Sequence, residues 1–523
     1  DRQRIAVYGD DDVDCVTAGI ILGHTFRLLG ADVRSYIPHR IDEGYGLNCE
    51  AIAQLCESTD GRPLIVSVDC GITAVEPAAI AQRAGVDLII TDHHEFDPQA
   101  LPEAHTLVHP RLGADGEAYP FDALCGAGVA FKLAWQIART HCGSDRLPEA
   151  MRDLVLDLLS LAALGTVADV VPLVDENRII TRFGLGQIKR TRFAGLNALI
   201  DAADLRGEKI DAYHVGFVLG PRLNACGRMG HAREAMRLLT DAQGDDAAQL
   251  ARFLTQENDR RRATEKRIFE QAKQMVLDRG YDSADSRAIV VGSDDWHPGV
   301  IGIVASRLVE AFARPVVMLS FQNGEAHGSA RSVEGVSIHE ALGACAAHMR
   351  SFGGHAMAAG MRLDVAKVDA FRDALVEKVN TMLAPEALVG VLDVEAECEL
   401  DAIDLPLVEQ IDRLAPFGRE NPRPVLCVRG AQLARPAQRM GGGGKHMSVS
   451  LRQGRRVVRG AAFGMGEFAD DLPAGAIVDI CFEPKVNDWR GTRTAEMIVK
   501  DFKIVSAATR STTVGARHDN GAR

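Results

Sequence analysis

Asp10, Asp11, Asp12 and Asp14 crowd into one short stretch directly after the apolar run RIAVYG. Like charges held close repel one another, and burial amplifies the repulsion. A solvated loop is one relief. A bound divalent cation is another, because the ion reverses the local charge logic. Other segments offer companions to the cluster. Asp69 ends IVSVD, Asp92, His93 and His94 end LIITDHH, and Asp169 sits inside the apolar LGTVADVVPL. Capping of a turn or helix is enough to explain Asp69 taken alone, and a loop His pair is commonly a surface feature. Asp169 resists such a reading, since an unpaired buried carboxylate is costly. Together these segments supply carboxylates and imidazoles near strand ends. An oxygen-rich set with one or two imidazoles suits Mn2+ or Mg2+. This many carboxylates can hold two ions at bridging distance, the arrangement of phosphoryl-transfer chemistry.

The elements that must position these groups follow from hydrophobic pattern. RIAVYG, ADVRSYI, RPLIVSVD and VDLIIT read as strands, separated by the helical TAGIILGHTFRLLG and VEPAAIAQRAG. This rhythm predicts an α/β fold with a doubly wound parallel sheet. Such sheets place ligands at the carboxyl ends of their strands. Leu154 to Leu164 predicts a buried helix ended by Gly165. The expected organisation is a first α/β domain over 1–244 and a long charged connecting helix within 245–284. A second α/β domain over 285–386 and a β-rich domain over 387–506, an OB-fold barrel by its short strands, follow. A disordered tail is expected over 507–523.

Composition bounds the partners. A chain of 523 residues exceeds the size of one growing core. The 11 cysteines are scattered, odd in number and without a C-x-x-C pair, which predicts a reducing cytoplasm and neither a disulfide framework nor a zinc ribbon. No apolar run is long and clean enough for a membrane span, and no secretory pattern opens the chain. It does not begin with Met, so residues are expected before Asp1. The net charge of −13 weighs against nucleic-acid binding taken alone. The basic residues nevertheless cluster, in NDRRRATEKR and again around Arg452, Arg455, Arg456 and Arg459. In the β-rich part Phe482 alternates with Val478 and Ile480 as a core residue would. Trp489, in the polar NDWRGTR, is the candidate for stacking on a base. The Gly-rich GSARS and FGGHAMAAG are candidate phosphate-approach loops, with Arg331 as a guanidinium fork.

DDDVDCVTA, VDCGI, TDHH and LGTVADVVPL resemble the motifs of the DHH phosphoesterase superfamily. The match continues through CGAGVAFKL, GPRLNACGRMGHA, WHPGVIGIVASRL, GSARS and GGHAMAAG. In order and spacing it is similar to the superfamily's bacterial single-strand-specific exonucleases, from Arg4 to about Ser506. The resemblance implies a two-ion Mn2+ or Mg2+ site. Asp10, Asp12 and Asp14 would supply the first carboxylates, Asp69 the bridge, and His93 and Asp169 the remainder. Asp92 and His94 would stand in or beside that site, His94 orienting or protonating reacting oxygens. On the substrate side it implies Ser329, Arg331 and Arg307 at the phosphate end of the strand, with Arg40 a further contact to the terminal phosphate. His355 would face the cleft. Arg222 and Arg228 would either contact the strand or brace the interdomain cleft. The chain departs from the pattern at Asp11, where Tyr or Phe is usual, and at Cys15, where Gly is usual. If that glycine serves a positive φ, Cys15 strains the turn and offers a soft ligand. Otherwise it packs as a small apolar residue.

The activity implied is 5′→3′ degradation of single-stranded DNA to 5′ mononucleotides in DNA repair and recombination, by a cytoplasmic enzyme. Single-strand-binding protein and a helicase are the expected partners, with a monomer as the default. Two alternatives stand beside it. One is a DHH phosphodiesterase for small substrates such as oligoribonucleotides or cyclic dinucleotides, relatives that tend to lack the long helix and the β domain. The other is a non-catalytic DNA-binding scaffold, like the superfamily's replication-factor relative, which would be expected to lose ligand residues.

Overall fold

The computed structural model describes residues 3–38, 46–57, 61–113, 118–228, 232–489 and 491–506. Arg40 and the expected tail lie outside the described residues. Two compact units emerge, 1–390 and 391–523.

In the first unit, β1 (Ile5–Tyr8), β2 (Val33–Tyr36), β3 (Leu64–Val68), β4 (Leu88–Thr91) and β5 (Thr106–Val108) form a sheet of order β2-β1-β3-β4-β5. All its pairings are parallel, with Ile5 opposite both Val33 and Leu64. Its central strands are covered on both faces: Val7, Val66 and Val68 join one apolar cluster, and Ala6, Tyr8, Ile65 and Ile90 another. That double burial explains their unbroken apolar runs. Because the strands run the same way, the loops after β1, β3 and β4 emerge together. Those loops carry Asp10–Asp14, Asp69 and Asp92–His94.

Asp169 reaches the same rim by another route. The predicted helix does not stop at Gly165; it runs Glu149–Ala168 and Asp169 caps its C-terminus. Glycine is present for clearance, since a Cβ on Gly165 would stand 2.5 Å from both Asp14 Oδ1 and Ala127 Cβ.

The helix Gly244–Asp278 is 35 residues long. Its early residues Ala247, Leu250 and Leu254 join the first core, and Ile268, Ala272 and Val276 join the next. It therefore bridges two hydrophobic centres. The second sheet contains β6 (Ile289–Ser293), β7 (Val316–Gln322), β8 (Glu325–Arg331), β9 (Ser351–Gly354) and β10 (Ala358–Asp364), in the order β6-β7-β8-β10-β9. Only the β6–β7 pair is parallel.

The second unit holds β11 (Ala396–Glu397), β12 (Leu426–Leu433), β13 (Gln438–Met440), β14 (His446–Gln453), β15 (Arg456–Ala462), β16 (Ile477–Trp489) and β17 (Thr492–Ser506). The order is β11-β12-β16-β17-β15-β14-β13, and an additional β12–β14 pairing closes the sheet on itself. Closure pairs the long strands on both sides and leaves only the short β11 and β13 at edges. Phe482, Val478 and Ile480 are buried inside, as their alternation predicts. Among the described residues no helix is long and apolar enough to cross a membrane.

Candidate metal centre

The loop after β1 is held from several directions. Asp12 is the N-cap of the helix Val13–Leu28, and its Oδ1 accepts the Cys15 amide at 2.9 Å. Asp10 is buried, with Oδ1 accepting the Asp11 amide at 2.7 Å and Oδ2 the Gly46 amide at 2.9 Å. Asp14 is equally buried. It accepts the amides of Gly126 at 2.6 Å and Ala127 at 2.9 Å, the first two residues of the helix Gly126–Cys142. The positive end of a helix dipole thus faces that carboxylate.

Cys15 departs from the strained-turn expectation. It lies within the helix Val13–Leu28 rather than at a positive φ. Its Sγ donates to Val68 O at 3.1 Å and receives the Asp10 amide. The thiol is wedged beneath the loop as a packing group and belongs to neither candidate metal group.

Asp69 follows β3 at φ +57°, a left-handed conformation uncommon for a residue with a side chain. Its amide donates to Thr91 O at 2.8 Å, which ties it to the next strand. Asp69 Oδ1 lies 3.0 Å from His93 Nε2. His93 Nε2 is also 3.7 Å from Asp169 Oδ2 and 3.9 Å from Asp14 Oδ2. Asp92 stands behind them. Its Oδ1 accepts the amides of His93 and His94 and meets His94 Nδ1 at 2.7 Å, while Oδ2 accepts the Ile72 amide at 2.9 Å. His109 supports this loop: its Nδ1 accepts the Arg111 amide, so Nε2 carries the hydrogen that reaches His94 O at 2.9 Å.

Two groups of potential ligands result, Asp69–His93–His94 and Asp14–His93–Asp169, with each group's ligand atoms within 4.8 Å of one another. Asp10 and Asp12 lie outside both groups, engaged as described with backbone amides.

The electrostatics are those of a site short of positive charge. Burial, and then the charges of Asp14, Asp12, Asp169 and Asp92, push the Asp69 carboxyl well above its ordinary range. Burial also raises Asp14, although His93 opposes it. Asp10 is pushed up to about 7 by burial and by Asp11. Burial would raise Asp92 as well, but its bonds to His94 and the Ile72 amide outweigh that and hold it at about 2. His93 is lowered to about 4 by burial and so stays neutral at physiological pH. His94 rises despite burial because Asp92 stabilises its charged form.

Asp69 Oδ1 and His93 Nε2 are buried atoms without a hydrogen-bond partner among the described residues. Native interiors rarely leave such atoms orphaned. Neutral imidazole and clustered carboxylate oxygens are donors suited to a divalent cation such as Mn2+ or Mg2+. The residues present fit that group.

On the substrate side the structure separates the candidates. Arg331 and Ser329 share a face of β8, with Arg331 Nη1 donating to Ser329 Oγ at 3.2 Å. Gly302 lies opposite; a Cβ there would stand 2.9 Å from Ser329 Oγ and 3.1 Å from Arg331 Nη2. Arg307, on the same helix as Gly302, pairs with Glu265 at 3.0 Å, a carboxylate it shares with Arg261, and covers the Phe269 ring. Arg228 donates to Gly299 O at 3.2 Å, which is the bracing alternative. Arg222 donates to Val218 O at 2.7 Å and Thr255 Oγ1 at 3.3 Å. His355 is exposed in the turn between β9 and β10. Trp489 ends β16.

Sequence reasoning missed the groups that position the acids. A Cβ on Gly126 would come within 2.6 Å of the Asp69 carboxyl, and one on Gly227 within 2.4 Å of Asp11 Oδ2. The available signal was glycine inside helical runs, where it is otherwise a cost. Asn224, whose Oδ1 accepts the Val13 amide at 3.0 Å, gave no signal of its own.

The chain matches the DHH family N-terminal domain over residues 4–166, the DHHA1 domain over 285–381 and the RecJ OB domain over 394–501. It is 38% identical to the single-stranded-DNA-specific exonuclease RecJ of Bacillus subtilis, covering 96% of this chain and 62% of that protein. The chain thus spans under two thirds of that relative's length. It is 32% identical to the RecJ of Dickeya dadantii, covering 96% of this chain and 87% of that one. The crystal structure of Thermus thermophilus RecJ in complex with Mn2+ superposes with a TM-score of 0.78 at 33% identity, over 97% of this chain and 69% of that one. A Mg2+ complex of the same protein superposes with a TM-score of 0.71 at 31% identity, over 97% of this chain and 68% of that one.

Proposed function

The chain belongs to the family of the single-stranded-DNA-specific exonuclease RecJ, and from that premise we propose that it degrades single-stranded DNA in the 5′→3′ direction to 5′ mononucleotides. The observation that carries this reading is the buried meeting of Asp69 Oδ1 and His93 Nε2, both without hydrogen-bond partners among the described residues and walled by Asp14 and Asp169. Asp14, Asp69, His93 and Asp169, with Asp10 and Asp12 from the same loop, would hold two ions. Bound there, Mn2+ or Mg2+ supplies charge stabilisation to the phosphodiester and acidifies an attacking water.

The protein's own groups divide the remaining work. Asp92 engages His94 at Nδ1, which leaves Nε2 as the atom able to hold or pass a proton at the reacting oxygens. The same bond favours the protonated imidazole. Arg331 is half-buried and has no carboxylate partner among the described residues, so it offers its charge, beside Ser329, to the terminal phosphate. Arg222 and His355 belong to the path of the strand. Arg40 keeps the terminal-phosphate role implied by resemblance, and Trp489 the base-stacking role read from its polar context. The regions 285–386 and 387–506 are then the strand-holding parts. The cysteines are free thiols, in keeping with work in the cytoplasm. The protein acts as a monomer, supplied with single strands by a helicase and by single-strand-binding protein.

End-labelled single- and double-stranded DNA incubated with the purified protein and Mn2+ tests the reading. Mononucleotides released from single strands alone, starting at the 5′ end, are expected. Activity confined to dinucleotides would favour the small-substrate alternative. DNA binding without hydrolysis would favour the scaffold.

A further inference from the structure

The first amides of a helix have no partner within it. In the helix that begins at Val13, the Cys15 amide is taken by Asp12. The Val13 amide is taken by Asn224, 211 positions later in the chain, through its side-chain Oδ1 at 3.0 Å. Val13 is the residue between Asp12 and Asp14. Asn224 therefore grips the backbone where the acidic loop passes into the helix.

Its own element is the helix Gly220–Arg228. That helix lies hard against the loop, since the Gly227 position would place a Cβ 2.4 Å from Asp11 Oδ2 and 2.9 Å from the Asp11 carbonyl. At its far end Arg228 donates to Gly299 O, and the Arg228 carbonyl stands 2.5 Å from where a Gly299 Cβ would be. Gly299 opens the helix Pro298–Phe312, whose Gly302 makes room for Ser329 and Arg331. One short helix thus touches the acidic loop on one side and the element carrying the strand-end candidates on the other.

We propose that Asn224 is a positioning residue, fixing the start of the helix Val13–Leu28 so that Asp12 and Asp14 are aimed at the metal ions. The inference rests on the proposed two-ion reading. The bond of Asn224 is to the Val13 backbone amide and not to an acid side chain. Its removal acts on metal geometry and leaves strand affinity alone. Displacing a catalytic group by about an ångström costs on the order of 10²-fold in rate.

The test uses the full chain with Asn224→Ala and Asn224→Asp. Mn2+ binding is followed by electron paramagnetic resonance titration, and single-strand affinity is measured without divalent metal. Asn224→Ala is expected to weaken Mn2+ binding by roughly tenfold and lower kcat by about 10²-fold, with strand affinity unchanged. Asn224→Asp keeps an acceptor oxygen for the Val13 amide and should restore kcat to within about threefold, well inside the loss expected for the alanine. A folded Asn224→Ala protein with wild-type Mn2+ binding and kcat overturns the proposal. Equal loss in both variants, or loss of folding in both, also overturns it by making Asn224 a structural residue. The wild-type titration, run first, isolates failure of the metal reading itself.

Discussion

At the rim formed by β1, β3 and β4, carboxylates outnumber cations, and several are held above their ordinary pKa. On β8, Arg331 is half-buried with no carboxylate partner among the described residues, and burial lowers its pKa. The rim is short of positive charge, whereas the Arg331 guanidinium is short of a negative partner. Topology explains why each deficit sits where it does. An all-parallel sheet delivers every loop after a strand to one end, so acids from distant segments accumulate there. The second sheet is mostly antiparallel and divides its connections between two ends, so its polar groups stay dispersed. On the proposed function, a cation would complete the rim and the strand's terminal phosphate would answer Arg331.

The comparison breaks most visibly at Asp69. Asp69→Ala should lower Mn2+-dependent turnover on single strands by an amount equivalent to about 4 kcal/mol or more, the scale of lost electrostatic stabilisation at a reacting centre. The metal-free melting temperature should hold or rise, because a crowded charge is gone. Near-normal turnover would show that the acids are not assembled for metal.

The opposite deficit is probed at Arg331. Arg331→Ala should weaken binding of 5′-phosphorylated strands by about 1.5–3 kcal/mol, the range for a charged hydrogen bond. Strands with a 5′ hydroxyl should lose much less. Equal losses on the two substrates would assign Arg331 to the general backbone path.

Acid crowding should also appear as a pH dependence of stability. Asp10, Asp14 and Asp69 are raised in the folded protein. The stability they contribute is therefore fully present below their unfolded value of about 4. It is lost as pH rises, through about 7 for Asp10. His93, lowered to about 4, works the other way, contributing stability above its unfolded value that is lost as pH falls. At this rim the raised Asp10, Asp14, Asp69 and His94 act against the lowered His93 and His109, and Asp69 is raised well above its ordinary value. The metal-free protein should melt lower near pH 8 than near pH 5, and saturating Mn2+ should reduce the difference because cations favour the deprotonated acids. A metal-free melting temperature that climbs across this interval would contradict the carboxyl assignments.

The smallest effect is expected at Cys15. Because it is helical, buried and has its thiol engaged with Val68 O, Cys15→Gly should cost at least about 1 kcal/mol of stability, the penalty for glycine inside a helix alone. Parallel Mn2+ and Zn2+ titrations of the two proteins should superimpose; a shift toward Mn2+ would restore the soft-ligand idea.

Much of this was legible in the residues. The alternation of apolar runs and helical segments placed Asp69, Asp92 and His93 at strand ends, since strand pattern and turn position are local properties. Asp169 was legible as an unexpected acid, but not as a helix cap, because the reason the helix passes through Gly165 lies in Asp14 and Ala127. The pairing of Arg307 with Glu265 was not legible for the same kind of reason, since Glu265 is on a different helix and nothing in the local pattern announces it. The amides that answer Asp14 and the Asn224 oxygen are likewise long-range facts, set by how helices pack rather than by spacing along the chain.

Gly126 and Gly165 give the centre a property that no list of its functional groups contains. Each offers only a hydrogen atom where a methyl would strike Asp69 or Asp14. The acids are thus seated with clearances smaller than one carbon atom. Chemical capability here is guarded by positions that have no chemistry of their own, and a variant catalogue restricted to acids and imidazoles would overlook the places where the smallest possible change does lasting harm.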